Sequence, residues 1–563
     1  MIALLLAGAG SIGFRAEPLR FAPGPTSLVL RDVTGDGLAD LVAADGNRLS
    51  VLLQSDAGFA GGTPVVLPLP SSPAILFDVA DLDGDRKAEI VLLEGGKRVL
   101  SVSIGADGRP GEPAVLLGEV RAHAPLGLRR ARLVRDIDGD GDGDLTLPGS
   151  GETLLFTRAN GRYSPAGSLP ADVELTLGVG DPRLVTARDL KEKFESAWKV
   201  PLFELADLNG DGRADLVAET DDSVSFTLVA PDGSIPAKPT FRLDLERLRK
   251  GLPKNGKGRS LDPDNLASIV SNRVEWIRRD IDGDDRADFL VRAGNVITVY
   301  RGGASGVDFS ARPSQVLKAS GNLLGIALDD DDGNGRPDLL VARVEDISIP
   351  QALSWLLLPI RVSVDVFVYH AREGAAFSSR PDRRQRFTIS LPSARTLVLE
   401  PQRLRQQATG DLLANRGDFD GDGEKDDLFL VKPDGTLEVY AGAAAGTSIG
   451  VPRTLLAALK ELGWGSKEPD VVVTLERISD LAGQVGSRVR KAIEGRKPDW
   501  SFRPPEAVAE EAEEDLSLWV FDLDGDKRDD AVVGWITPEG VRDRPFVGTV
   551  LFSARPGPVG GGR

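Results

Sequence analysis

The sequence predicts an all-β repeat array. Three observations predict it: a nine-residue acidic pattern that recurs eight times, short apolar runs on either side of each copy, and 64 glycines and 37 prolines that turn the chain often. At 563 residues and 41% apolar content, the chain can bury a large core. Cysteine is absent and there are two histidines, which leaves no thiol nucleophile, no disulfide and a poor donor set for zinc or copper. No apolar run approaches the roughly 20 residues of a membrane-spanning helix. A net charge of −18 argues against a nucleic-acid partner, which would need a basic surface.

The pattern reads DVTGDGLAD from Asp32, DLDGDRKAE from Asp81, DIDGDGDGD from Asp136 and DLNGDGRAD from Asp207. It continues as DIDGDDRAD from Asp280, DDDGNGRPD from Asp330, DFDGDGEKD from Asp418 and DLDGDKRDD from Asp522. Oxygen-bearing side chains hold positions 1, 3, 5 and 9. In the first four copies these are Asp32, Thr34, Asp36 and Asp40; Asp81, Asp83, Asp85 and Glu89; Asp136, Asp138, Asp140 and Asp144; Asp207, Asn209, Asp211 and Asp215. In the last four they are Asp280, Asp282, Asp284 and Asp288; Asp330, Asp332, Asn334 and Asp338; Asp418, Asp420, Asp422 and Asp426; Asp522, Asp524, Asp526 and Asp530.

Position 4 is glycine in every copy, which permits the positive φ of a tight turn. Alternate oxygens on such a turn suit a hard cation wanting six to eight oxygen ligands, and calcium is the usual occupant. Up to eight structural Ca²⁺ ions are therefore expected. Eight of them would bring the net charge from −18 to −2, so the acidity reflects cation chemistry more than a generally acidic surface. Thr34 should weaken the first loop. Arg86, Asp285 and Lys527 replace the glycine found at position 6 elsewhere and should strain or shift their turns. An EF-hand is excluded, because its closing Glu at position 12 is replaced by an apolar residue in all eight copies.

Each loop sits between two strand-like runs, such as SLVLRD before and ADLVAAD after the first. A third run follows in most units (RLSVLLQ from Arg48, RVLSVSIG from Arg98, VSVDVFVYH from Val362), and often a fourth. Four antiparallel strands per unit, in stacked units, read as an eight-bladed β-propeller, with seven blades as the alternative. The metal loops join the inner two strands of each blade. These runs resemble the FG-GAP (VCBS-type) repeats of integrin α-subunit propellers and of bacterial surface proteins. The resemblance implies that the loops bind calcium and that ligands bind at the face opposite them.

The chain divides accordingly. Residues 1–9 are a candidate signal peptide, with a buried first strand as the alternative. Residues 10–555 form one propeller, and residues 556–563 are a Gly/Pro tail. The last unit lacks its outer strand, and residues 11–22 are expected to supply it, hiding two strand edges. Small helical inserts are expected at about 186–198, 244–274, 399–408 and 454–515, all between an outer strand and the next inner one. They would cluster opposite the metal loops.

The functional expectation is a calcium-stabilised, monomeric, extracytoplasmic scaffold for protein binding or adhesion, secreted, periplasmic or at the cell surface, without catalysis. Its partner would be a protein or glycan held opposite the metal loops. A carbohydrate-binding lectin is the alternative, although Trp276, Trp519, Tyr300 and Tyr440 fall in strand runs. A calcium-dependent polysaccharide lyase is less favoured; its base would be sought among Arg129, Arg130 and Arg132. His123 and His370 are expected on opposite faces and read as structural or merely exposed.

Overall fold

A computed structural model describes residues 4–7, 12–21, 27–45, 48–55, 58–59, 63–172, 176–177, 196–197, 203–252, 265–268, 272–372, 377–399, 413–432, 436–445, 454–466, 468, 470–474, 477, 491–503, 516–535 and 546–554. The chain is all-β. Eight sheets of four or five strands follow one another, of the kind that form propeller blades, and each carries one acidic loop. The first sheet shows the plan: Ser27–Arg31, Asp40–Ala44, Leu49–Leu52 and Val65–Val66, neighbouring in chain order and antiparallel. The loop of residues 32–39 joins its first two strands.

The second strands explain why these sheets stack. Asp40–Ala44, Asp144–Pro148 and Asp427–Val431 are buried along their whole length, because a neighbouring sheet covers each face. Continuous apolar runs such as DLVAA and DLFLV meet that demand, where a sheet with one wet face would alternate. Phe77, Ile90 and Val102 of the second sheet share one core cluster with Val29, Val42 and Val51 of the first. Comparable clusters join the second to the third, the third to the fourth, the fourth to the fifth and the fifth to the sixth sheet. Others join the seventh to the eighth and the eighth back to the first.

The eighth sheet contains both ends of the chain. Gly13–Phe21 pairs antiparallel with Phe546–Ala554, from Gly13 opposite Ala554 to Phe21 opposite Phe546. Within the expected residues 11–22, Gly13–Phe21 thus supplies the strand the last unit lacks. Phe14 from this strand packs on Trp500 at 4.5 Å and Phe419 at 5.6 Å between ring centroids. Leu4–Ala7 adds a fifth strand on Phe14 and its neighbours. Residues 4–7 of the candidate signal peptide are thus a strand in this fold.

The inserts differ from expectation in several places. Helix α1 (Leu245–Lys250) starts on the Asp244 cap, whose side chain accepts the Arg247 N–H. Helices α2 (Ile349–Ser354) and α3 (Ala394–Leu399) occupy the sixth unit, and α2 was not foreseen. Helix α4 (Leu455–Leu462) runs from the Thr454 cap to Gly463, as its Thr and Gly predict. Instead of continuing as helix, Asp470–Thr474 is a strand, parallel to Arg383–Leu391. Trp500–Phe502 is the outer strand of the seventh sheet. Helix α4 therefore lies between the third and fourth strands of that sheet, not after an outer strand. That connection emerges at the same end as the acidic loops. The expected helices at 186–198 and 399–408 fall almost entirely outside the described residues; Ser196–Ala197 is a short strand and Leu399 ends α3.

Candidate metal centres

One backbone geometry recurs in all eight loops. Glycine at position 4 has φ between +76° and +83°, the left-handed region. The position-1 aspartate holds the turn with both oxygens. Its Oδ1 accepts the position-4 N–H at 2.6–2.8 Å, from Gly35 through Gly525. Its Oδ2 accepts the position-6 N–H at 2.8–3.1 Å. Arg86, Asp285 and Lys527 keep this bond with φ of +73°, +63° and +70°. Their turns are not shifted, and the departure from glycine is carried as local backbone strain.

The closing carboxylate sits at the start of the second strand, beneath the loop. In the first loop Asp40 accepts the Val33 N–H at 3.0 Å and the Gln54 N–H at 2.9 Å, from the neighbouring strand. Asp144, Asp215, Asp288, Asp338 and Asp530 repeat this arrangement. Glu89 accepts the Leu82 N–H at 3.2 Å. The seventh loop corrects the sequence reading. Asp427, not Asp426, accepts the Phe419 and Gly442 N–H groups at 2.7 and 2.9 Å and is fully buried. One extra residue has entered that loop. The strand DLFLV begins at Asp427, and aligning the apolar runs would have located it.

The carboxylates converge. Oxygens of Asp81, Asp83 and Asp85 lie within 4.8 Å of one another, as do those of Asp136, Asp138 and Asp144, of Asp280, Asp282 and Asp288, and of Asp418, Asp420 and Asp427. Burial pushes several of these acids up, with nearby aspartates adding to the rise: Glu89 to about 7, Asp144 to about 6, Asp427 to about 6 and Asp530 to about 8. Asp40, Asp215, Asp288 and Asp338 are raised for the same first reason. A divalent cation would relieve both burial and repulsion. The oxygen-only donor set of these four groups fits calcium. In the first loop the Thr34 hydroxyl stands 3.4 Å from Asp32 Oδ1, a neutral donor in place of a carboxylate. In the fourth, Asn209 donates to Asp211 at 3.0 Å.

Among the described residues, five pairs of neighbouring loops are bonded to each other in the same way. The position-8 N–H of one loop donates to a carbonyl at position 1 or 2 of the loop before it. These bonds are Ala88 to Asp32 at 2.8 Å, Gly143 to Leu82 at 3.0 Å, Ala287 to Leu208 at 3.0 Å and Asp529 to Asp418 at 2.7 Å. Across the joined ends of the chain, Ala39 donates to Leu523 at 3.5 Å.

The residues weighed for other functions separate. Trp276 and Tyr300 pack in the core between the fourth and fifth sheets, and Tyr440 is buried. The side chain of Trp519 lies outside the described residues. Arg129 and Arg130 fall on Gly127–Arg130, a strand parallel to Ala74–Ala80 at the edge of the second sheet. Arg130 and Arg132 face an open cavity of about 570 Å³ with Arg31, Asp78 and Asp81. His123 donates its N–H to the Pro148 carbonyl at 2.6 Å, and burial lowers its imidazole. His370 stands at the sixth loop, an association the sequence reading missed.

Comparison with known proteins agrees with the repeat. No curated protein sequence matches this chain. Among solved structures, an Agrocybe aegerita lectin that recognises non-reducing terminal N-acetylglucosamine is 16% identical, over 65% of this chain and 81% of that one, with a TM-score of 0.27. Sqt1 of Saccharomyces cerevisiae is 9% identical over 95% and 97%, with a TM-score of 0.31. Sqt1 of Chaetomium thermophilum is 12% identical over 95% and 98%, with a TM-score of 0.32. Likenesses this low carry no functional argument. The FG-GAP-like repeat family matches residues 32–92, which span the first two acidic loops and the strands between them. The chain therefore carries an FG-GAP-like repeat at residues 32–92, and the acidic loop of that repeat recurs along the rest of the sequence.

Proposed function

We propose that the protein is a calcium-stabilised, eight-bladed β-propeller that acts outside the cytoplasm as a non-catalytic binding scaffold. The observation that carries the reading is the recurrence of one loop geometry in eight sheets, each with crowded, partly buried carboxylates. Each site held at 100-fold saturation adds about 2.7 kcal/mol to the folded state. Eight such sites decide whether the ring stays closed. Calcium at the required level is found outside the cytoplasm, which is why the scaffold is assigned there. No described helix is long and apolar enough to cross a membrane.

A protein partner at the end opposite the loops is favoured by one surface. The connection holding α2 joins the second and third strands of the sixth sheet and so emerges at that end. It exposes Leu353, Leu356, Leu357 and Leu358, from 51% to 73% of each residue. Large apolar side chains grouped this way mark interaction sites more often than bare surface.

Calorimetric titration with Ca²⁺ tests the metal. It should give several sites per chain, and chelation should lower the melting temperature sharply. A melting curve that EGTA leaves unchanged would end the structural-calcium reading. Cross-linking of wild type and Leu357→Glu to extracellular extracts tests the partner face, and the variant should lose its specific adducts.

A further inference from the structure

The sixth loop differs from the other seven in chemistry. Position 2 is apolar and buried elsewhere: Val33, Leu82, Ile137, Leu208, Ile281, Phe419 and Leu523. Here it is Asp331, whose side chain is only 3% exposed. A buried carboxylate is costly unless its partners are fixed. Asp331 Oδ1 accepts the Trp464 indole N–H at 2.7 Å, and the Arg383 guanidinium lies 3.1–3.2 Å from both oxygens. Trp464 follows α4, the insert of the seventh unit, which reaches this loop because its connection emerges at the loop end.

The second difference is an imidazole. His370 follows the strand Ile360–Tyr369, and the N–H of the next residue, Ala371, donates to Asp338 Oδ1 at 2.8 Å. Its nitrogen Nδ1 stands 3.8 Å from Asp332 Oδ2, and Nε2 stands 3.6 Å from Asp331 Oδ2. Ligand atoms of Asp332, Asp338 and His370 lie within 4.8 Å of one another. Nε2 is buried and has no hydrogen-bond partner among the described residues. The matching position in the fifth loop is Arg301, and its guanidinium pairs with Asp282, the position-3 carboxylate there. This place in the fold therefore brings a side chain onto the position-3 carboxylate. In the fifth loop that side chain is a fixed cation; in the sixth it is an imidazole, a group able to offer a nitrogen donor.

Calcium takes oxygen donors, whereas imidazole suits first-row transition metals. A carboxylate beside the second nitrogen of a ligating histidine is the usual support for such an ion, and Asp331 occupies that place. We propose that the sixth loop is a distinct centre for a divalent transition-metal ion, held by Asp332, Asp338 and His370 and oriented by Asp331. The proposal rests on the reading of the loops as cation sites, but not on calcium filling the others.

The test is a calorimetric titration of the full chain with Zn²⁺ in saturating Ca²⁺. One Zn²⁺ per chain should bind despite the calcium. His370→Gln should weaken that binding by at least 10–100-fold and leave Ca²⁺ stoichiometry and the melting curve unchanged. Asp332→Asn, on the surface, is the second variant and should weaken Zn²⁺ in the same way. His123→Gln should leave it intact. Absence of saturable Zn²⁺ binding, or Zn²⁺ binding indifferent to both His370→Gln and Asp332→Asn, overturns the proposal. A separate Ca²⁺ titration of the wild type reads the calcium sites independently, so either reading can fail alone.

Discussion

Removing divalent cations should invert the usual pH dependence of a protein's stability. Asp530 shows the reasoning. It is fully buried, it accepts the Leu523 and Ser553 N–H groups at 2.8 and 2.7 Å, and burial raises its pKa from 3.8 to about 8. The folded state then binds a proton that the unfolded chain releases near pH 4. Without a cation, the carboxyl costs nothing at low pH and costs progressively more as pH rises towards 8. About four pKa units correspond to on the order of 5 kcal/mol at 1.36 kcal/mol each. With an unfolding entropy of about 2.1 cal/mol/K per residue, that is about 4 °C in melting temperature for a ring that unfolds as one unit. Glu89, Asp144 and Asp427 act in the same direction. Thermal unfolding followed by circular dichroism from pH 5 to pH 9 in EGTA should show a falling midpoint. Asp530→Asn should flatten that fall. In millimolar Ca²⁺ the trend should disappear or reverse, because the ion competes with protons for the same oxygens. A midpoint that rises with pH in EGTA, or one identical with and without Ca²⁺, would refute the argument.

Other expectations follow from single contacts. Asp427→Asn, measured in calcium, should cost about 1–3 kcal/mol more than Asp426→Asn, since an amide oxygen cannot satisfy all the N–H groups that Asp427 serves; equal chemical-denaturation midpoints would return the closing role to Asp426. Phe14→Ala should cost about 3–5 kcal/mol by emptying the aromatic contact with Trp500 and Phe419, and should loosen the joined termini first, seen as faster amide exchange in Phe546–Ala554. Gly525→Ala should cost about 1–2 kcal/mol from backbone strain alone, since φ is +76° and a methyl group there meets nothing within 4 Å. A neutral result for Gly525→Ala in urea melts would show that this turn relaxes.

Much of the fold was legible because the nine-residue pattern and the strand pattern are local. Glycine at position 4, oxygens at alternating positions and an apolar run after position 9 each act within a few residues, so they could be read without knowing what packs on what. Residues 11–22 could be placed as the missing strand because the last unit came up one short. What failed was anything decided by distant contacts. Asp426 fitted a fixed count of nine, but the second strand, buried on both faces, sets the register, and it begins at Asp427. The insert expected at about 454–515 is not helix throughout: Asp470–Thr474 within it pairs with Arg383–Leu391, a strand some 80 residues earlier, as a strand. His370 was read as structural or merely exposed because the carboxylates it meets, Asp331, Asp332 and Asp338, lie 32–39 residues earlier in the chain.

The bonds between five of the consecutive loop pairs tie stretches of the acidic rim together, while the sixth loop has Pro337 at position 8 and no N–H to give there. On the calcium reading proposed above, an ion drawing in one loop would shift the carbonyls at positions 1 and 2, and those carbonyls hold the bonded neighbour through Ala88, Gly143, Ala287, Asp529 and Ala39. Sites joined in this way should fill with a Hill coefficient above one in the Ca²⁺ titration, as tension passes along a drawstring.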